Sequence, residues 1–200
     1  MTSLILGGAA SGKSEYAERM AEAACEQAGG RLYYIATMAA SDGESRERIR
    51  KHRDRRADKG YETVECPTSD ELSAFAKTLA ERAPEPVTVL LDDLGNLVAN
   101  ELFTNLPDGR AFTLLSPEER AEVVRSLADP LRELAGTAGT LVLVGNDVFG
   151  DSVPFEKREA GTENYLHVLA DLDRTLAAFA DRVTEVTAGL PDDWKGGALS

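Results

Sequence analysis

Residues Gly7-Gly8-Ala9-Ala10-Ser11-Gly12-Lys13-Ser14 have the spacing G-x-x-x-x-G-K-S of a phosphate-binding loop. The chemistry this spacing serves is anion capture. Glycines let the backbone curl until successive N–H groups face one phosphate, and the helix that follows adds the positive end of its dipole. A lysine at position 13 reaches β- and γ-phosphates, and a hydroxyl at position 14 ligates Mg²⁺. A glycine-rich turn can match the pattern by chance. Here the motif follows the apolar run Leu4-Ile5-Leu6 and opens a helical pattern near Glu15, the strand, loop and helix that the motif requires.

Two further groups belong to the same chemistry. Val87-Thr88-Val89-Leu90-Leu91 runs straight into Asp92-Asp93. An acid ending a buried strand is the usual partner of a phosphate loop, holding Mg²⁺ directly or through water. Alone, the pair reads better as a loop-initiating Asp-Asp; beside Lys13 and Ser14, Asp92 is the metal-ligand candidate because it falls directly after the apolar run. The second group is the segment from Arg46 to Lys59, which holds eight Lys or Arg against Glu47, Asp54 and Asp58, in a chain whose net charge is −13. On a helix Arg48, His52, Arg55 and Arg56 share a face. Guanidinium groups there would neutralise phosphate charge and favour a neutral imidazole, which is a nucleophile toward phosphorus. The plainer reading of the segment is a solvated basic helix.

The elements that must position these residues alternate along the chain. Strand patterns fall at Leu4–Leu6, Arg31–Ala36, Thr63–Glu65, Val87–Leu91, Thr140–Val144 and Arg182–Thr187. Helical patterns fall at Ser14–Ala28, Ser45–Lys59, Ser69–Arg82, Pro117–Ala135 and Asn164–Phe179. Continuous apolar strands alternating with helices predict an α/β, P-loop nucleotide-binding fold, a mostly parallel sheet with helices on both faces. Ligands of such sheets bind beyond the carboxyl ends of the strands, where the phosphate loop already sits. The stretch Thr104–Pro117, with Pro107, Gly109 and Pro117, is expected to be an exposed loop.

Length and composition set outer bounds. Two hundred residues suit one domain spanning 1–200 with a sizeable core. The charge of −13 argues against a nucleic-acid surface. No apolar stretch reaches membrane-span length, and no basic-then-apolar leader opens the chain, so a cytoplasmic protein is expected. Cys25 and Cys66 form no C-x-x-C pair or metal-ligand cluster and are expected to be reduced thiols.

The chain resembles the adenosylcobinamide kinase/adenosylcobinamide-phosphate guanylyltransferase family. The resemblance is carried by Leu6-Gly7-Gly8 with Ser11-Gly12-Lys13-Ser14, Tyr34-Ile35-Ala36-Thr37, Arg48-Ile49 with His52-Arg53, Glu62-Thr63 with Glu65, and Leu90-Leu91-Asp92 with Asn100. It continues through Val142 to Asn146-Asp147, Val153-Pro154, Leu176-Ala177, Ala180-Asp181, Val183 and Gly189-Leu190-Pro191, nearly the whole chain. The order and spacing of these pieces are specific together, though each is weak alone.

The resemblance implies two reactions. A nucleoside triphosphate phosphorylates the aminopropanol hydroxyl of adenosylcobinamide; then a histidine attacks the α-phosphorus of GTP and carries GMP to the corrinoid phosphate. His52 falls on the family's guanylylated histidine. Thr37, Arg53 and Glu65 fall where the family surrounds nucleotide. ATP and GTP as substrates, Mg²⁺, a corrinoid acceptor and a homotrimer with its site between subunits are implied as well. The chain departs from the family at Ala10, often Arg there, in Asp93-Leu94-Gly95-Asn96, and in Gly145–Ser152. It departs most in the helix after Pro154, where the family's arginines give way to Glu163-Asn164-Tyr165-Leu166-His167 and Ala170-Asp171-Leu172-Asp173-Arg174. Lys157 and Arg158 are the cations left nearby, and His167 reads as a surface or core-edge residue. Two rival functions fit the residues: a P-loop kinase or NTPase acting on another small molecule, and a nucleotide-binding regulatory module.

Overall fold

The computed structural model describes residues 1–38, 59–82, 85–148 and 158–196. The basic segment with Arg48, His52 and Arg53 lies outside the described residues, as do Val153, Pro154 and Lys157. The helix expected over Ser45–Lys59 is therefore described only at Lys59.

Seven strands form one sheet in the order β3-β2-β4-β5-β1-β6-β7. They are β1 Thr2–Leu6, β2 Arg31–Ala36, β3 Tyr61–Glu65, β4 Val87–Asp92, β5 Thr140–Val144, β6 Arg182–Thr187 and β7 Leu190–Lys195. All neighbours pair in parallel except β6 and β7, which are antiparallel. The helices are α1 Lys13–Ala28, α2 Ser69–Ala80, α3 Leu94–Asn100, α4 Pro117–Thr137 and α5 Ala160–Phe179.

Strand periodicity divides the core. Ile5, Leu32, Tyr34, Leu90, Val142, Val144 and Val186 point to one face and bury Ala17 and Ala21 of α1. Leu4, Tyr33, Ile35, Val89, Leu91, Leu141 and Leu143 point to the other, against α2, α3, α4 and α5. The central strands are buried on both faces, so they read as unbroken apolar runs. α2 and α4 start on side-chain caps. Thr68 Oγ1 accepts the Glu71 N–H of α2, and Ser116 Oγ accepts the Glu119 N–H of α4, each Glu reaching back to its cap.

Three expectations need correction. β7 is absent from the expected strands: all six of its residues are exposed and it carries Pro191, so neither apolar alternation nor burial marks it. It exists because Ala188 and Gly189, at φ 52° and 80°, make the tight turn that a right-twisted hairpin favours, and because an edge strand tolerates proline. Asp193 then ties it to β6, accepting from Arg182 at 2.9 and 2.6 Å and from Thr184 at 2.6 Å. This ion pair holds the Asp193 carboxyl below its usual range. α3 is absent from the expected helices; seven residues with Gly95 inside carry too little period to read, yet Leu94, Leu97 and Val98 are buried and the Asp93 carboxylate caps the helix.

The stretch Thr104–Pro117 is not a plain exposed loop. The π-helical turn Glu101–Asn105 runs into its start, the 3₁₀ helix Pro107–Phe112 follows, and Ala111 and Leu115 are buried. Asn164, buried on α5, holds this stretch. Its Oδ1 accepts the Leu115 N–H at 3.0 Å, and its Nδ2 donates to the Ala111 and Thr113 carbonyls at 2.8 Å each. A buried amide satisfied by three backbone groups replaces the tertiary pairs that a loop lacks.

Candidate active site

The phosphate loop leaves β1 between two clamps. Gly189 N–H donates to the Ser11 carbonyl at 2.7 Å from the β6–β7 turn, and Asp147 N–H donates to the Gly7 carbonyl at 2.9 Å from the exit of β5. A Cβ at position 7 would lie 2.5 Å from Ser11 Oγ and 2.6 Å from the Val186 carbonyl oxygen, so only glycine lets the loop pass β6 this closely. Gly12 turns at φ 88°, a left-handed conformation, and α1 starts at Lys13. Lys13 is buried, and its ammonium donates to the Gly8 carbonyl at 3.1 Å, across the loop's mouth. Ser11 Oγ is buried with no hydrogen-bond partner among the described residues, an unspent donor inside the cradle.

Sheet register sets the rest of the site. Glu65, Ala36, Asp92, Val144 and Ile5 are successive partners across β3, β2, β4, β5 and β1. Asp92 closes β4 one strand beyond β5. Its Oδ1 accepts from Ser14 Oγ at 3.5 Å and its Oδ2 from the Tyr34 hydroxyl at 3.2 Å. Two hard oxygens facing each other beside a phosphate loop are the donor set that suits Mg²⁺, which takes one or two protein oxygens, phosphates and water. Asp93 points elsewhere, its Oδ1 accepting the Asn96 N–H at 2.7 Å. The two neighbouring acids thus have separate tasks, and the one facing Ser14 is Asp92.

Thr37 is fully buried. Its hydroxyl donates to the Asp93 carbonyl at 2.7 Å and accepts the Asp93 N–H at 3.0 Å. Its own carbonyl accepts from Asn100 Nδ2 at 2.8 Å, and the same amide reaches the Pro67 carbonyl at 2.9 Å. Thr37 and Asn100 therefore lash together the ends of β2, β3 and β4 and fix the turn that presents Asp92. Glu65 is exposed at the end of β3, two strand spacings or about 10 Å from Asp92 along the sheet. Gly7, Gly8, Ala9, Ala10, Ser11, Gly12, Lys13, Ser14 and Asp92 are thus brought together; Thr37 braces them from beneath, and Glu65 lies to one side. His52 and Arg53 fall outside the described residues. The segment that carries them leaves β2 after Thr37 and Met38, at the site's end of the sheet. It returns at Lys59, whose ammonium pairs with Glu18 and Glu22 of α1 at 2.9 Å each.

Some residues near the site were not singled out by sequence as functional. Asp173 of α5 turns Oδ1 inward, where it has no hydrogen-bond partner among the described residues. Burial, then the charge of Asp147, pushes its carboxyl up to about 7. Below pH 3.8 this acid is protonated folded or unfolded; above that the unfolded chain releases the proton and the folded chain keeps it. The contribution of this carboxyl to stability therefore falls as pH rises from about 4 to about 7 and then levels. Asp173→Asn removes the penalty. In urea unfolding its advantage over wild type should be on the order of 2 kcal/mol larger at pH 8 than at pH 5; an equal difference at both would show that the carboxyl ionises freely in the fold. Elsewhere, burial pushes the Cys66 thiol up to about 12, and both cysteines are free. His167 is half-exposed, 3.3 Å from Glu163 and 3.1 Å from Arg120. No helix among the described residues is long and apolar enough to cross a membrane.

A family model described as cobinamide kinase / cobinamide phosphate guanyltransferase matches residues 3–193. The bifunctional adenosylcobalamin biosynthesis protein CobP of Pseudomonas aeruginosa is 35% identical over 199 residues, covering 100% of both chains. The bifunctional adenosylcobalamin biosynthesis protein CobU of Salmonella typhimurium is 31% identical over 197 residues, covering 95% of this chain and 97% of its own. Among solved structures, an ATPase domain superposes with a TM-score of 0.50 at 14% identity, covering 92% of this chain and 68% of that one, a likeness of fold. The sheet is that of a P-loop nucleotide-binding enzyme, and the chain belongs to the cobinamide kinase / cobinamide phosphate guanyltransferase family.

Proposed function

We propose that this protein activates cobinamide for adenosylcobalamin synthesis in two steps. In the first, the aminopropanol hydroxyl oxygen of adenosylcobinamide bonds to the γ-phosphorus of ATP, ADP leaves, and the hydroxyl proton passes to solvent. In the second, a ring nitrogen of His52 bonds to the α-phosphorus of GTP and pyrophosphate leaves. A phosphate oxygen of the cobinamide phosphate then displaces His52, giving the GDP-linked corrinoid.

The observation that carries the reading is the convergence of Lys13, Ser14 and Asp92 on the phosphate loop. The loop's N–H groups and Lys13 hold the triphosphate and meet charge that builds on the transferred group. Ser14 and Asp92 would hold Mg²⁺, which supplies charge neutralisation at the phosphates. Thr37 keeps Asp92 in register. Arg53 and the neighbouring cations of its segment supply positive charge beside His52, and Glu65 borders the nucleotide from β3.

The test follows phosphate from γ-labelled ATP to adenosylcobinamide across a Mg²⁺ titration. Wild type should label the corrinoid. Asp92→Asn should raise the half-saturating Mg²⁺ by roughly 10- to 100-fold, and Asp93→Asn should raise it far less. Hydrolysis of ATP with no label on the corrinoid would hand the chain to another acceptor. A Mg²⁺ effect confined to Asp93→Asn would mean that the other carboxylate holds the metal.

A further inference from the structure

Beside the phosphate loop, α3, the exit of β5 and the first turns of α5 border an open, shallow cavity of about 310 Å³, lined by Asp93, Asn96, Phe103, Asn146, Thr162 and Tyr165. It shares a wall with the phosphate site. Asn146 precedes Asp147, whose N–H holds Gly7, and Asp93 follows Asp92.

The floor is polar and incompletely satisfied. A Cβ at Gly95 would lie 2.8 Å from the Tyr165 hydroxyl, 2.9 Å from Asn146 Nδ2 and 3.3 Å from Asp93 Oδ1. Three polar atoms thus converge over a residue with no side chain. Asp93 Oδ1 is occupied by the Asn96 N–H. The Tyr165 hydroxyl and the Asn146 side-chain amide make no hydrogen bond among the described residues, although their neighbours Asn164 and Asp147 do. Desolvation, with Asp93 and Asp173 nearby, pushes the Tyr165 phenol up to about 12, so it stays a neutral donor.

The rim is aromatic. Phe103 and Phe112 lie with ring centroids 5.7 Å apart and planes 34° apart, and are 43% and 66% exposed. Both rings rest on Gly161, where a Cβ would come within 3.3 and 3.4 Å of them. Two phenyl rings held open to water over a hydrogen-bonding floor match a ligand that is flat and apolar with neutral polar arms. Among the described residues no lysine or arginine lines the cavity and Asp93 does, so its charge disfavours a phosphate there.

We propose that this cavity seats the corrinoid acceptor, a neutral carboxamide arm bonded by Asn146 and Tyr165 and the macrocycle lying on the Phe103–Phe112 shelf. The proposal rests on the cobinamide reading above and adds the residues that select the acceptor. It places a large ligand's arm next to the transferred phosphate without using the charged residues that hold nucleotide.

Equilibrium dialysis with cobinamide, read by its visible absorbance in the presence of a non-transferable ATP analogue, tests it. Tyr165→Phe deletes one oxygen and keeps the ring, Gly95→Ala pushes the Tyr165 hydroxyl and the Asn146 amide from their places, and Phe103→Ala removes half of the shelf. Each should weaken cobinamide binding about 5- to 20-fold, with affinity for the ATP analogue unchanged as the check on folding. Wild-type affinity in Tyr165→Phe and Phe103→Ala would overturn the cavity assignment and leave the proposed function standing. Failure of wild-type protein to bind cobinamide would overturn both. A change in sedimentation on Phe103→Ala, with cobinamide affinity intact, would make the shelf a contact between copies of this chain and also defeat the proposal.

Discussion

Lys13→Ala is expected to lose roughly 10²- to 10³-fold in phosphoryl transfer to adenosylcobinamide while keeping its fold. The ammonium sits at the loop's mouth, donating to the Gly8 carbonyl at 3.1 Å. A bound triphosphate offers it a far better acceptor, and the charge that builds on the transferred group in the transition state is what it stabilises. The loss should fall on kcat more than on nucleotide affinity, because the loop's own N–H groups still bind phosphate. Gly8 loses only a hydrogen bond to its carbonyl, so urea unfolding should move little. The measurement is steady-state transfer from γ-labelled ATP, with analogue binding in parallel. Activity within threefold of wild type would remove Lys13 from the chemistry; a collapse of the unfolding transition would make its role structural.

The phosphate loop is legible in sequence because its pattern is local: eight consecutive residues, Gly7 to Ser14, carry it between a strand and a helix. The central strands were legible because burial on both faces writes unbroken apolar runs such as Leu141-Val142-Leu143-Val144. Asp92 could be separated from Asp93 by position alone, and the side chains divide the same way, one toward Ser14 and the other capping α3. What sequence hid depends on tertiary contact. β7 is a strand by virtue of a turn at Ala188-Gly189 and one ion pair, with no apolar face to announce it. Asn164 looked like a polar helical residue where an arginine was wanted, yet it is the buried clasp on residues 111–115. The two hydrogen bonds by which the Thr37 hydroxyl ties the end of β2 to Asp93 join residues 56 apart in sequence. The cavity over Gly95 draws residues from three separated stretches, and no local window contains it.

His52 is where the sequence makes its boldest claim. The residue lies in a segment carrying a local charge of +5, in a chain of −13, between the exit of β2 and Lys59. The exit of β2 is at the same end of the sheet as Lys13 and Asp92. With α-labelled GTP and Mg²⁺, wild type should acquire labelled GMP on the protein. A phosphoramidate is labile in acid and stable in alkali, the reverse of a serine ester's behaviour toward base. The label should therefore survive alkali and leave in mild acid, and adding cobinamide phosphate should discharge it onto the corrinoid. Labelling should weaken as pH drops through the ordinary histidine range near 6.5, since only the neutral ring is nucleophilic. His52→Ala should lose the label and the GDP-linked product, a fall of at least about 10³-fold, as expected when a covalent nucleophile is deleted. The same variant should phosphorylate adenosylcobinamide from ATP at close to the wild-type rate, because in-line transfer on the phosphate loop needs no imidazole. Loss of both activities would mean that the segment also builds the kinase site. Retention of an acid-labile label in His52→Ala would assign the nucleophile elsewhere, with His167, the only other histidine, as the next residue to replace. Wild-type protein that binds GTP and takes no label would reduce the chemistry to a single phosphoryl transfer, carried by Lys13, Ser14 and Asp92 alone.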